Sequence, residues 1–236
     1  MARVSQAHLD ARRRQILDAA ALCFARNGFH ATSMQDVLKE ADLSAGAVYR
    51  YFSGKEELIA AIVGEVLGEV HAAFEAAARQ SPPPPPDQLA AAVLSRALAL
   101  RAGLTLDGVP AFPRLVVQVW SEIPRNESLA AVLTEGYDAV RAAWGRIVEA
   151  YQEAGIMRPD IAPDHVARTM IAAVLGFIAQ QSLFGPAPVE VLRDGLQALM
   201  SMPLPQSDTP SDPQSDPQSD TGTDHSSVNL VETQSN

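Results

Sequence analysis

One cysteine, Cys23, stands in 236 residues, so no intrachain disulfide is possible and a reducing cytoplasm suits the chain. The first residues, MARVSQAHLDARRR, lack the apolar core of a secretory leader. The most apolar run, Met170 to Ala179, lies between Arg168 and Gln180 and falls short of the ~20 residues that span a bilayer, so no membrane is expected as a partner. The five histidines, His8, His30, His71, His165 and His225, have no metal-ligand spacing. A glycine-rich phosphate loop and a nucleophile elbow are both missing. These absences remove the usual enzyme signatures, and no catalytic residue, metal or cofactor is expected. Basic residues form no block beyond Arg12, Arg13 and Arg14, and the net charge is −10, which at first argues against a nucleic-acid partner. The distribution changes that. From Pro203 onward there are six acids (Asp208, Asp212, Asp216, Asp220, Asp224 and Glu232) and no Lys or Arg, so six of the ten excess negative charges lie in the last 34 residues. Local charge matters more than the total for such a partner.

What is present is helical pattern. With 47% hydrophobic and 19% charged residues the chain can bury a substantial core, in one or two domains. The most informative stretch is Ser33 to Phe52, SMQDVLKEADLSAGAVYRYF. Ser33 is placed to cap a short helix, with Asp36 in its first turn and Val37, Leu38 and Ala41 on its apolar face. That helix should stop near Asp42. Ser44 then caps a second helix, Ala45 to Tyr51, which Leu43 and Val48 pack back onto the first. Such a pair is a helix-turn-helix, whose second helix can enter the DNA major groove. An ordinary structural hairpin has the same local pattern.

The flanks narrow the choice. RRRQILDAAALCFARNGFHATSMQDV followed by LSAGAVYRYFSGKEELI resembles the N-terminal DNA-binding domain of TetR-family transcriptional regulators. Phe24, Gly28, Phe29, Thr32, Ser33, Gly46, Tyr49, Phe52, Lys55 and Glu56 carry the resemblance, over roughly residues 10 to 70. It implies that Thr32, Ser33, Ser44, Ala45, Gly46, Ala47, Tyr49, Tyr51 and Lys55 form the DNA interface. Physical chemistry supplies its own reading of several. Thr32 and Ser33 can cap a helix or donate to a phosphate at its positive end. Glycine inside a helix costs about 1 kcal/mol relative to alanine, and close approach to DNA at Gly46 would offset that. Ala45 and Ala47 can only make apolar contacts, as with a thymine methyl. Arg50 alone here could pair bidentately with guanine, but in the matched pattern its position turns toward the protein. Tyr51 can contact DNA or pack on the next helix. A cation at a helix N-terminus, as at Lys55, is unfavourable unless an anion such as a phosphate is held there. Arg12, Arg13 and Arg14 can touch phosphates or form a solvated face. Cys23 and Phe52 read as core.

Elsewhere the chain is read by period. Residues 1 to 8 read as a loose arm, Leu9 to Asn27 as a helix ended by Gly28, and Lys55 to Arg79 as a long helix broken by the proline run 82–86, a stiff loop. Leu89, Val93, Ala97 and Leu100 mark one further helix, and Leu115, Val116, Val119, Trp120 and Ile123 another. Asn126 caps a longer one that Gly155 stops. Pro163 and Asp164 open the next, and Val189 to Ser201 is the last. The helix after Pro163 is apolar on two sides, with Val166, Met170, Val174 and Phe177 on one and Ile171, Leu175 and Ile178 on the other. It should therefore be buried on two sides, its own core and a second subunit. Residues 203 to 236, with the repeating tetrad Pro-Gln-Ser-Asp, read as a disordered acidic tail.

The expectation is an all-α fold. An N-terminal three-helix helix-turn-helix DNA-binding domain spans residues 10–70, with its motif at 33–52. A C-terminal helical ligand-binding and dimerisation domain spans 71–202. The resemblance further implies a cytoplasmic homodimer that represses transcription from a palindromic double-stranded DNA operator. It also implies a small apolar effector near Phe112, Trp120, Tyr137, Trp144, Met170 and Phe177, each a residue type that is more often plain core. A regulator that dimerises without an effector, and an enzyme with a fortuitous hairpin, are the alternatives.

Overall fold

The first helix reaches further toward the N-terminus than its apolar period suggests. In the computed structural model α1 spans Gln6–Asn27, so residues 6 to 8 of the expected arm are helical. Residues 6–201 are described. Residues 1–5 and 202–236, with the expected tail, lie outside them.

The next two elements end where their caps dictate. Helix α2, Met34–Ala41, starts in a full capping box: Asp36 N–H donates to Ser33 Oγ at 3.2 Å, and Ser33 N–H donates back to Asp36 Oδ2 at 2.8 Å. It stops at Asp42, which takes left-handed backbone at φ 53°. Helix α3, Ala45–Tyr49, is shorter than expected. Ser44 caps it, accepting from Ala47 N–H at 3.4 Å. Ile16, Leu17, Ala20, Phe24, Val37, Val48, Phe52, Leu58 and Ile62 close one core around these helices and the start of α4, Lys55–Ala78. The boundary expected at residue 70 falls inside α4, which runs on without a break.

From the last proline of the run come α5, Pro86–Ala99; a two-residue hairpin, β1 Thr105–Leu106 with β2 Val109–Pro110; α6, Phe112–Glu122; and a single turn of 3₁₀-helix, Ile123–Arg125. Then follow α7, Glu127–Glu153, α8, Pro163–Phe184, and α9, Val189–Met200. The hairpin was not visible as a period because each strand is two residues long. Its turn, Asp107-Gly108, has φ 53° and 79°, the geometry a tight two-residue hairpin requires. Leu106 plugs the hairpin into the core of α1. The second core gathers Phe74, Trp144, Ile147, Tyr151, Met170 and Ile171 from α4, α7 and α8. Tyr151 is almost wholly buried, and its hydroxyl donates to the carbonyl of Pro84, tying the proline run to α7.

Candidate DNA interface and interior cavity

The outward face of the helix-turn-helix is built by what its caps and core leave over. Val48 points inward from α3 and is fully buried. That turns Ala45, Gly46 and Tyr49 outward, with Ala47 half-buried at the edge. Tyr49 is 51% exposed, a large aromatic side chain with no place in the core. A Cβ on Gly46 would meet nothing within 4 Å, so its glycine is not required by internal packing. Ser33 and Ser44 lie at this surface, each spent on a cap.

Two residues expected at the interface are turned the other way. Thr32 is 1% exposed, and its hydroxyl donates to the carbonyls of Gly28 at 2.7 Å and Cys23 at 3.1 Å. It stitches the end of α1 to the start of α2 and presents no side-chain donor outward. Tyr51 is half-buried, and its hydroxyl lies inside without a hydrogen-bond partner. Arg50 is exposed, and its guanidinium lies over the Tyr51 ring, 5.5 Å from its centre. Lys55 offers a third case. Its ammonium donates to the Phe29 carbonyl at 2.9 Å and sits 4.7 Å from the centre of the Phe29 ring. With Glu56 and Glu57 in the same first turn, these contacts answer the unfavourable dipole without a phosphate. The basic cluster is also partly used internally: Arg13 pairs with Glu65 at 2.8 Å and lies over the Phe52 ring. Cys23 is buried, and burial pushes its thiol up to about 11, away from the reactive thiolate.

Three contacts that no local pattern reveals tie this head to the rest. Arg101, with its side chain 3% exposed, donates to Glu65 at 2.7 Å and lies 3.4 Å from Asp18, so one buried guanidinium joins α1, α4 and the segment after α5. Burial raises the Asp18 carboxyl above its ordinary value, with Arg101 pulling against that rise. His30 Nε2 lies 3.1 Å from Glu122, whose side chain is buried at the end of α6. A Cβ on Gly28 would stand 3.1 Å from Gln118 Oε1, so the end of α1 rests on α6. All three depend on tertiary contact between residues far apart in sequence.

The opposite side of α6 faces a cavity of about 430 Å³. Val116, Val119, Trp120 and Ile123 wall it from α6, Ile62, Val66, Leu67 and Val70 from α4, and Val140 and Trp144 from α7. Of the six residues proposed for an effector site, Phe112, Trp120, Tyr137 and Trp144 line it. Met170 and Phe177 do not: they belong to the packed cores on either side. Helix α8 turns Ile171, Val174, Leu175 and Ile178 into the cavity, largely its other apolar side. Among the described residues that line it none carries a charged side chain, and Thr134 and Tyr137 bring the only hydroxyls. Volume and lining are those of a small-molecule site.

Two family models match separate parts of the chain. The model of bacterial regulatory proteins of the tetR family matches residues 16–62, and that of the C-terminal part of BetI-type transcriptional repressors matches 100–201. The HTH-type transcriptional regulator YfiR of Bacillus subtilis, itself uncharacterised, is 43% identical over 67 residues, 28% of this chain and only 33% of YfiR. The HTH-type transcriptional regulator UidR of Escherichia coli is 27% identical over 189 residues, 80% of this chain and 90% of UidR. The solved structure of Salmonella enterica GusR superposes with a TM-score of 0.60 at 27% identity, over 84% of this chain and 99% of GusR. Two family models in their proper order, on a capped helix-turn-helix with an exposed second helix, place the chain in the TetR family: it is a helix-turn-helix DNA-binding transcriptional regulator.

Proposed function

We propose that the protein is a ligand-responsive repressor, a cytoplasmic homodimer that reads a palindromic operator and releases it when a small apolar molecule fills the body. Residues 10–70 do the reading and residues 71–202 bind the effector and dimerise. The observation that carries this is the 430 Å³ apolar cavity, walled on one side by α6, whose other face holds Gly28 and His30 of the head. A ligand there acts only by binding two head arrangements with different affinity. The apolar lining favours a neutral molecule and supports a regulator over a catalyst. Exposed apolar side chains support the dimer: Leu183 and Phe184 at the end of α8 are 68% and 84% exposed, and Val191 and Leu199 stand out from α9. Helix α8 is also apolar enough to pass as a membrane span by composition, the signature expected of a helix covered by a second subunit. In this reading Ser33, Ser44, Ala45, Gly46, Ala47 and Tyr49 meet DNA. Lys55 supplies a backbone contact from the edge, and Thr32 and Tyr51 shape the surface from behind.

Selection of binding sites from random duplex DNA at near-physiological salt tests this. The expected result is a palindrome with half-sites about 34–36 Å apart or a multiple of that. Tyr49→Ala should abolish the enrichment. Lys55→Ala should weaken binding and lower the salt slope by about one. Binding that enriches no sequence would overturn operator recognition by this face.

A further inference from the structure

Gly136 lies in the interior of α7, buried, where glycine is a poor choice for a helix. Among the described glycines it is the one at which a Cβ would fall under 3.0 Å from a neighbour. The neighbour is the side chain of Leu67 on α4. A Cβ would lie 2.5 and 2.7 Å from its two methyl groups and 3.2 Å from its Cγ. Leu67 therefore rests its branched end on bare α7 backbone. Both residues line the cavity. Any side chain at 136 must push the Leu67 methyls off that seat, and the free space beside them is the cavity itself.

We propose that Gly136 and Leu67 form a notch that sets the bore of the cavity, and so decides which neutral apolar ligands enter. This rests on the reading of the cavity as the effector site. The notch is a specificity device: its effect is on what fits, not on whether the helices pack. A leucine displaced into an existing void clashes with no backbone, and alanine is the better helix former. Gly136→Ala should therefore keep the melting temperature at or above that of the wild type while narrowing the cavity. A glycine needed merely for close helix packing would give the opposite sign.

The test uses the neutral fluorescent amine N-phenylnaphthylamine as probe, titrated into the full-length protein and its variants, with melting curves on the same samples. The wild type should bind the probe. Gly136→Ala should weaken it by about tenfold or more, the scale of a misfit of one carbon in an apolar pocket. Adding Leu67→Ala to Gly136→Ala should restore binding, because the displaced methyls are gone. Wild-type protein that binds no probe would overturn the effector reading and the notch with it. A wild type that binds while Gly136→Ala binds equally well would overturn the notch alone. Weakened binding that Leu67→Ala does not restore, with a lowered melting temperature, would also overturn the notch and assign Gly136 to helix packing.

Discussion

Val48 and Val174 are the same residue on amphipathic helices, yet they face different things. Val48 turns from α3 into a core filled by α1, α2 and α4. Val174 turns from α8 toward an unfilled space of about 430 Å³. The head is rigid in the sense that its side chains have nowhere to go. The hydroxyls of Thr32, Ser33 and Ser44 are spent on caps and stitches, and Arg13 and Arg26 on carboxylates. The body keeps apolar surface uncovered within its walls. Uncovered apolar surface forfeits packing contacts that a filled core would gain. A site kept open at that cost is suited to a guest, whereas the filled head holds a recognition surface in shape.

The comparison can be broken by substitution. Phe24→Ala, in the filled head, should cost about 3–5 kcal/mol. Denaturant unfolding should show it, with loss of DNA binding at temperatures where the wild type holds. Arg101→Met should cost less, about 2 kcal/mol: removing one partner of a buried pair costs more, but Asp18 and Glu65 are each about one-third exposed and water screens them. The same unfolding curves measure it. An unchanged midpoint would mean that this guanidinium does not join head to body. Enlarging each valine separates the regions most sharply. Val48→Leu should cost about 1–3 kcal/mol by overpacking, and Val174→Leu less than about 1 kcal/mol, because its extra volume enters a void. Equal costs would mean the cavity closes in solution.

A small effect also comes from the cap of α2. Ser33→Ala should cost about 1 kcal/mol. It should also change the acid limb. Hydrogen bonds from the Ser33 hydroxyl, and then its backbone N–H, hold the Asp36 carboxyl below its ordinary value. Because that pKa is lower folded than unfolded, its contribution is fully present above the unfolded value of 3.8 and is lost as pH falls through the folded one. Ser33→Ala should therefore flatten the loss of stability in this acid range, measured by unfolding at successive pH values.

How much the sequence revealed follows the same division. In the head, Ser33, Asp42, Ser44 and Gly28 have local reasons to start or stop a helix, and each does so where its side chain or backbone requires. The burial of Thr32 has no local signal, because a hydroxyl at a helix start serves equally well inside or outside, and only the fold brings the Cys23 and Gly28 carbonyls to it. In the body the helices were legible from period and from Asn126, Gly155 and Pro163. Which face of α8 lined the cavity was not: both are apolar, so pattern alone could not choose between Met170 and Ile171. The Asp107-Gly108 hairpin was too short to have a period, and the Arg101, Glu122 and Gly136 contacts join residues remote in sequence.

The most direct measurement follows DNA and ligand together. A labelled duplex carrying the selected palindrome would be titrated by fluorescence anisotropy against a library of neutral apolar compounds, with binding of each compound measured separately with and without DNA. Compounds that enter the cavity should lower DNA affinity, and DNA should lower theirs by the same factor, as linkage requires. Compounds that bind the cavity while DNA affinity stays unchanged would contradict the claim that the hollow body governs the filled head.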